Sequence, residues 1–370
     1  MRSIVFLLAL ALVAGAAAAT PLRVTVVARS GAAEVGTTWR VTILARQAGR
    51  PANGLKLTVR LAQGSRVMTY PADALGKGRY RADISFPAPG RWTLAARAGG
   101  RNVSLGAVTV APEPLRIREP FYLAVDRDGT LLVCDGNARR VLRLDPRNGR
   151  VTEFAPRADN AIAVATDATG AVVVVQHEAD RVLRVDGGTL TAISAKLGGP
   201  TAVAIAPDGS VVVAEYAGRV QRIRPDGSMS LVAGRGADAS DGDGGDPARA
   251  GIDRPHGIAV APDGTVYVSD TYGGKVRKIA NGRISTVASG LETPIGLAVD
   301  RDGSVLVGEM RGNRVLRVAP DGRTTTLTDS VTSPNAVAVA PDGTIYVSDV
   351  DGGAVYRVAR DTGRPTRVTR

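Results

Sequence analysis

Residues 122–135 read YLAVDRDGTLLVCD, and residues 257–270 repeat the pattern as GIAVAPDGTVYVSD. Each copy is an apolar run, an Asp-Gly turn and a second apolar run, which predicts two antiparallel strands joined by a tight turn. Successive turn glycines are 41, 39, 55, 39 and 40 residues apart. They are Gly129, Gly170, Gly209, Gly264, Gly303 and Gly343. A period of about 40 residues is typical of the blades of a β-propeller.

Each unit continues with two more short apolar runs, such as residues 140–144 and 149–154 in the first copy. A four-stranded sheet of this kind cannot bury both of its faces alone, and packing several sheets around an axis solves the problem. The innermost strands use small residues, as in residues 336–340, where neighbouring blades crowd together. We therefore predict a six-bladed β-propeller over residues 112–370.

The longest interval between turns carries a distinctive segment. Residues 242–260 read GDGGDPARAGIDRPHGIAV, which closely resembles the GDGGPA…L..P.G segment of NHL-repeat proteins with Asp246 inserted. The resemblance implies an NHL-type propeller. Related six-bladed families include binding modules, streptogramin-lyase-like enzymes and gluconolactonase-like hydrolases, so the fold does not decide the function.

A second domain precedes the propeller. Apolar residues alternate with polar ones in six runs, which are residues 22–27, 39–44, 55–61, 80–86, 92–96 and 103–110. Alternation of this kind is typical of an antiparallel sandwich with one buried face on each sheet. We predict an immunoglobulin-like β-sandwich over residues 20–111, and the stretch GRYRADISFPAPGRW at residues 78–92 resembles bacterial YtkA-like domains. The fold class of the whole chain is all-β.

The first 19 residues have the features of a secretory signal peptide. Arg2 precedes an apolar run at residues 4–13, and an A-x-A site at residues 17–19 precedes Thr20. Cleavage before Thr20 would make the protein secreted or periplasmic. An uncleaved membrane anchor is the alternative, although the run is shorter than the roughly 20 residues that span a bilayer.

The net charge of +12 is concentrated in the predicted sandwich. Residues 20–111 carry fourteen Lys or Arg against three acidic residues, whereas residues 112–370 carry 32 of each sign. One interpretation is attachment to an anionic surface of the cell envelope. The other is a set of solvated strand faces in an arginine-rich protein. We expect no nucleic-acid partner, because the chain is predicted to be exported and only 4% of its residues are aromatic.

The chain has a single cysteine, Cys134, so it cannot form an intrachain disulfide. The surrounding residues 130–134 read TLLVC, and we expect the thiol to be buried in a strand.

The blade geometry predicts a functional rim. The first strand of a blade leaves one face of the ring and the second returns to it, so the residues at these ends share one rim. Six positions after the turn glycines lie Asp135, Gln176, Glu215, Asp270, Glu309 and Asp349. Beside them we expect five ligand-binding residues, which are Phe121, Asn160, His177, Tyr216 and Asn335.

Two interpretations of the rim carboxylates stay open. Glu215, Asp270 and Glu309 could bind a divalent cation such as Mg or Ca. The sequence Pro-His-Gly at residues 255–257 is similar to streptogramin-lyase-like propellers, and the similarity implies His256 as a base with Glu215 and Glu309 in catalytic roles. Alternatively, the strand-end carboxylates accept hydrogen bonds from nearby backbone N–H groups.

The acidic stretch at residues 241–246, DGDGGD, poses a similar choice. Calcium binding is one interpretation and a structural loop is the other, and the spacing lacks the closing Glu of an EF-hand.

We expect a monomeric recognition protein of the cell envelope that binds a protein, peptide or glycan on the rim and attaches to an anionic surface through residues 20–111. The alternative is a divalent-metal-dependent lyase or lactonase centred on His256. Rim carboxylates that converge around His256 would favour the enzyme, and carboxylates bonded to their own turns would favour the binding protein.

Overall fold

The computed structural model describes residues 22–29, 38–98, 100–110, 115–136, 140–155, 158, 160–167, 169–186 and 189–369. The predicted signal peptide lies outside these ranges. Backbone contacts divide the chain into two units, Met1–Pro114 and Leu115–Arg370. The regular structure of the described residues is β apart from one short 3-10 helix at Pro247–Arg249, which confirms the all-β prediction. No helix in these ranges is long and apolar enough to cross a membrane.

The N-terminal unit is a single hydrogen-bonded sheet folded over a core. Its strands are β1 (Leu22–Arg29), β2 (Thr38–Gln47), β3 (Arg50–Pro51), β4 (Leu57–Gln63), β5 (Arg66–Gly76), β6 (Arg79–Ser85), β7 (Gly90–Ala98) and β8 (Arg101–Val110). Their order is β1-β2-β6-β5-β4-β7-β8, with β3 beside β2. Buried and exposed residues alternate along β2, β6 and β7, as the period-two pattern predicts.

Strand β5 is the element that sequence analysis missed. Its first half, through Ala72, pairs with β4, and its second half, from Asp73, pairs with β6, so one strand joins the two layers. Pro71 obscured the strand, because proline within an apolar run argues against a central strand. The small β-domain agrees with the predicted fold class, and its immunoglobulin-like character stays a prediction.

The second unit contains six four-stranded sheets, which confirms the predicted propeller. Its strands, grouped by blade, are β9–β12 (Pro120–Val125, Leu131–Asp135, Arg140–Asp145, Arg150–Ala155), β13–β16 (Ala161–Thr166, Val172–Gln176, Arg181–Asp186, Thr189–Ala192), β17–β20 (Pro200–Ile205, Val211–Glu215, Arg219–Ile223, Met229–Ala233), β21–β24 (Ile258–Val260, Val266–Asp270, Lys275–Ala280, Arg283–Ser289), β25–β28 (Pro294–Val299, Val305–Glu309, Arg314–Val318, Thr324–Thr328) and β29–β32 (Pro334–Val339, Ile345–Asp349, Ala354–Val358, Pro365–Arg367).

The repeated Asp-Gly turn is stabilised locally. In the fourth blade the Asp263 carboxylate accepts a hydrogen bond from the backbone N–H of Thr265 at 2.9 Å. Gly264 between them has φ of +85°, a conformation that an L side chain rarely adopts. The same carboxylate-to-backbone bond is present in the first, third, fifth and sixth blades, which explains why an Asp-Gly pair followed by Thr or Ser marks these turns.

The ring closes without an exchanged strand. The first strands of neighbouring blades contact one another around the whole ring, and β29 of the last blade contacts β9 of the first. Each described blade is built from four consecutive strands, so side chains alone join the last blade to the first. Leu123 and Leu131 of the first blade pack with Ala336 and Tyr346 of the last. Asn335 Nδ2 also donates a hydrogen bond to the carbonyl oxygen of Phe121 at 2.5 Å.

Tyr122 occupies the middle of the ring. Its side chain packs against four apolar clusters that together include residues of the first, second, third, fourth and sixth blades. Within the described residues its hydroxyl has no hydrogen-bond partner, and burial raises its pKa. Neighbouring Cys134 is fully buried, as predicted, and burial likewise raises the pKa of its thiol.

The long segment between the third and fourth blades is anchored by a buried arginine. Arg277 lies on β23 and is 0% exposed. One of its terminal nitrogens donates to the Asp270 carboxylate at 2.9 Å and to the Gly251 carbonyl oxygen at 3.1 Å. The other donates to the Asp241 carbonyl oxygen at 2.9 Å and to the Asp243 carboxylate at 2.7 Å. A single guanidinium thus ties the segment to the blade that follows it.

Substitution of Arg277 by Ala should destabilise the protein strongly, because it leaves the buried Asp270 carboxylate without its cation. Breaking a buried ion pair on one side costs roughly 3–5 kcal/mol. The control is Arg147→Ala, which removes an ion pair to Asp145 whose arginine is 74% exposed and should cost about 0–1 kcal/mol. Urea denaturation of the propeller measures both, and equal losses would contradict the anchoring role of Arg277.

Candidate functional site

The six predicted rim positions are the last residues of the second strands. Each ends one of the strands β10, β14, β18, β22, β26 and β30. All six are at most 5% exposed, and they are Asp135, Gln176, Glu215, Asp270, Glu309 and Asp349. Burial of so many acidic side chains requires partners, because an unpaired buried charge is costly.

Backbone N–H groups supply much of that partnership. Asp270 accepts from the N–H of Asp253 at 2.8 Å, and Glu309 accepts from the N–H of Glu292. Asp135 and Asp349 do the same with Glu119 at 3.1 Å and Thr332 at 3.3 Å. Every donor lies 16 or 17 residues before its carboxylate, in the segment that leads into the first strand of the same blade. We call this contact the blade-entry clamp.

The three predicted metal ligands are therefore engaged separately. Glu309 also binds Arg314, and Asp270 also binds Arg277 and accepts from the Ser240 hydroxyl at 2.7 Å. Burial raises the pKa of Glu215, opposed by the Arg219 charge and a hydrogen bond from the backbone of Gly198. Within the described ranges no three His, Cys, Asp or Glu side chains are grouped so that they could hold a metal ion. Glu215, Asp270 and Glu309 as placed do not fit a shared divalent cation, and their catalytic and metal-binding roles stay predictions.

The DGDGGD stretch at residues 241–246 is neutralised by arginines. Arg235 forms a two-nitrogen ion pair with the Asp241 carboxylate at 2.5 and 2.8 Å, and Arg277 binds Asp243. Asp246 caps the short helix by accepting from the N–H of Ala248 at 3.0 Å. These contacts support the structural-loop interpretation over calcium binding.

His256 presents one ring nitrogen for chemistry. Its Nδ1 lies 2.8 Å from the carbonyl oxygen of Arg254. A carbonyl oxygen only accepts, so Nδ1 carries the proton and Nε2 of the neutral ring is an acceptor. Burial lowers the pKa of His256, the hydrogen bond to Arg254 opposes that effect, and a positive charge on His177 lowers it further. The neutral imidazole is consequently favoured near neutral pH.

Two tyrosines and an arginine surround His256. Its ring meets the Tyr216 ring edge-on with 5.6 Å between centroids, and the Tyr272 centroid lies 6.2 Å away. The Arg254 guanidinium carbon lies 5.5 Å from the Tyr216 centroid and 5.0 Å from that of Tyr272, within cation–π range. Arg254 has φ of +47° and is fixed by an ion pair to Asp238 at 2.9 Å. We call Tyr216, Arg254, His256 and Tyr272 the aromatic rim.

A pocket of about 460 Å³ opens beside the aromatic rim, between the fourth and fifth blades. Apolar side chains share its wall with one acidic and one basic residue. Its lining includes His256, Tyr272, Leu291, Glu292, Met310 and Arg311. A pocket of this size, with a few polar groups among apolar ones, is typical of a small-ligand site.

The other predicted ligand-binding residues are distributed around the ring. His177 Nδ1 lies 3.0 Å from the carbonyl oxygen of Pro200, and a side chain placed at Gly199 would touch both His177 and Tyr216, so these two are neighbours. Asn160 precedes the first strand of the second blade with φ of +60°. Asn335 is 3% exposed and bonded to the backbone of Phe121, so its amide contributes to ring closure. The structure thus brings His177, Tyr216 and His256 together, and Phe121 and Asn335 form a separate pair.

Sequence analysis missed Tyr272, Arg254 and the pocket wall. Tyr272 had a detectable signal, because it lies two positions after a strand-end carboxylate, in the same loop as His177 and Tyr216 in their blades. Arg254 had no such signal, since its role depends on contacts with two different blades.

Comparison with known proteins places the propeller in a family. The sequence model described as "SMP-30/Gluconolactonase/LRE-like region" matches residues 122–328. No curated protein matches the chain significantly.

Solved structures share the fold at low sequence identity. A virginiamycin B lyase from Staphylococcus aureus is 16% identical, with 70% of this chain and 87% of that chain covered and a TM-score of 0.51. A gluconolactonase from Xanthomonas campestris is 20% identical, with coverage of 64% and 85% and a TM-score of 0.54. An auxiliary nutrient binding protein from Bacteroides ovatus is 13% identical, with coverage of 89% and 95% and a TM-score of 0.54. The blade count, the strand order and the family match over more than half of the chain agree, and the chain belongs to the SMP-30/gluconolactonase/LRE-like family.

Proposed function

We propose that this protein is a secreted recognition protein that binds a small ligand, or part of a peptide or glycan, at the aromatic rim and the adjoining pocket. The observation that carries the proposal is the cluster of Tyr216, His256 and Tyr272 beside a pocket of about 460 Å³. Tyr216 and Tyr272 are 39% and 60% exposed. Large exposed aromatic side chains of this kind are enriched at binding sites, where they supply contact area at low entropic cost.

The state of the rim carboxylates also favours binding over metal-assisted catalysis. Members of this family often depend on a divalent metal. Here Asp270 and Glu309 each accept a backbone hydrogen bond and form an ion pair with an arginine, so their oxygens are already used. The similarity to an auxiliary nutrient binding protein over 89% of this chain is in keeping with a binding role.

A lyase or lactonase activity is the second candidate, and the geometry of His256 favours it. A neutral imidazole with a free Nε2 at the edge of a pocket can accept a proton from a substrate carbon or from an attacking water. In an elimination the C–H electron pair would form the new double bond as the leaving group departs, with His256 holding the proton. A virginiamycin B lyase of the same fold is described as catalytically inactive in a histidine-to-alanine form.

Tyr272→Ala and His256→Ala should each weaken ligand binding at least about ten-fold, because aromatic residues at the centre of a site commonly contribute 1–3 kcal/mol or more. A panel of short peptides and a panel of oligosaccharides, screened by saturation-transfer NMR, supply the probes. Leu231→Ala, an exposed apolar residue on an outer strand (43% exposed), is the control and should leave affinity unchanged. A bound probe whose affinity ignores both rim substitutions would place recognition elsewhere on the protein.

Metal analysis separates the two candidates. We expect the purified protein to contain no stoichiometric divalent ion, and we expect EDTA to leave its Tm unchanged, because the rim carboxylates are already bonded. Gluconolactone and quinupristin serve as the test substrates. Turnover of either that is lost in His256→Ala, together with a stoichiometric ion lost in the same variant, would establish the enzyme in place of the binding protein.

His256 should titrate below the ordinary histidine pKa of about 6.5, because its burial disfavours the charged ring. The unfolded chain then binds the proton more readily than the folded one, so His256 lowers stability progressively as pH falls below about 6.5. Chemical shifts of the ring measure the pKa, and urea denaturation at pH 7 and pH 5 measures the stability. In His256→Gln the loss of stability between these two pH values should be smaller. A His256 pKa above 6.5 would refute the assignment of a neutral base.

A further inference from the structure

The N-terminal unit carries an excess of basic side chains, and the structure shows where they gather. The strand register places Arg23 of β1 directly opposite Arg46 of β2. On the other side of β2, Gln47 pairs with Arg50 of β3, and Leu44 pairs with Arg79 of β6. These side chains lie at one end of the β1-β2-β6 layer.

A glycine-flanked turn adds a fifth cation to the same end. The backbone N–H of Ala45 donates to the carbonyl oxygen of Gly78 at 2.8 Å, which brings the turn at residues 76–78 against β2. Lys77 lies at the tip of that turn. We call the resulting exposed group the basic corner, and its members are Arg23, Arg46, Arg50, Lys77 and Arg79.

No carboxylate of the described residues pairs with the basic corner. Residues 20–111 contain three acidic residues, Glu34, Asp73 and Asp83. Asp83 pairs with Arg40 at 2.8 Å, and Asp73 lies opposite Arg81 in the strand register. Glu34 lies outside the described ranges. Within those ranges the five cations of the corner form no ion pair.

The arrangement has an electrostatic cost in the free protein. Like charges directly opposite on neighbouring strands are destabilising, and their Cβ atoms lie only about 5 Å apart. Arg23 and Arg46 are such a pair. An anionic partner would convert this repulsion into attraction for both guanidinium groups at once.

We propose that the basic corner docks the protein onto a bilayer that contains anionic phospholipids. Guanidinium groups bind phosphate oxygens through two parallel N–H donors, which suits lipid headgroups. Each basic residue near such a surface contributes about 1 kcal/mol, a factor of about five in partitioning. None of the five residues is aromatic, so the corner lacks the base-stacking surface that single-stranded nucleic acid would use. This docking is independent of ligand binding at the aromatic rim.

Vesicle binding by the chain from residue 20 onward, which keeps both folded units, tests the proposal. The vesicles are phosphatidylcholine alone or with about 30% phosphatidylglycerol, and sedimentation measures the bound fraction. The corner variant is Arg23→Gln, Arg46→Gln and Arg79→Gln together. The matched control changes the same number of exposed arginines on the other layer, Arg60→Gln, Arg91→Gln and Arg97→Gln. We expect about a hundred-fold loss of partitioning for the corner variant and at least ten-fold less for the control.

Several results would overturn the proposal. They are equal losses in the two variants, equal binding to neutral vesicles, no binding to anionic vesicles at low salt, and binding that is undiminished at high ionic strength, since screening must weaken an electrostatic contact. Thermal denaturation without vesicles gives a second readout. The single variant Arg23→Gln should unfold at the same or a higher temperature than the parent, because it removes the repulsion with Arg46. A lower temperature would show that Arg23 stabilises the fold and is not held in reserve for a partner.

Discussion

The blade-entry clamp is the contact on which the rim of this propeller depends. A buried carboxylate at the end of the second strand accepts the N–H of the segment that leads into the first strand, as in Asp270 with Asp253 and Glu309 with Glu292. The charge cannot stay buried without these donors, and the loop cannot hold its path without the acceptor. The clamp fixes both ends of the inner hairpin, and the side chains beside it, including His256, inherit their positions from it.

Periodicity made the propeller predictable, whereas the site was only partly predictable. Six Asp-Gly turns at near-constant spacing require six similar sheets, and the alternation of apolar residues requires strands. Strand β5 escaped because Pro71 breaks the usual strand composition, yet it pairs on both sides. Asp270 illustrates the limit at the rim, since the sequence alone allowed a metal ligand or a hydrogen-bond acceptor. Only the positions of Ser240, Asp253 and Arg277 decide between them. The Arg254 contacts with Tyr216 and Tyr272 cross between blades, where no sequence period operates.

Family membership and local chemistry make separate statements about this protein. The SMP-30/gluconolactonase/LRE-like match defines the scaffold, and the same scaffold carries enzymes and binding proteins. What distinguishes this chain is the use of arginines, because Arg277 and Arg314 take up carboxylate oxygens that a metal ion would otherwise need. His256 remains free of such pairing at Nε2. The rim therefore combines a rigid ring of satisfied acids with one chemically available imidazole.

The closure of the ring has a consequence for how the chain can assemble. Because the first blade is built from β9–β12 and the last from β29–β32, neither terminus of the propeller has to wait for the other to complete a sheet. A ribosome can release finished blades one after another, and the final step is the docking of two preformed apolar faces around Leu131 and Tyr346. The seam so formed contains no interstrand ladder. Opening it would expose side chains while leaving every backbone pairing within the blades intact.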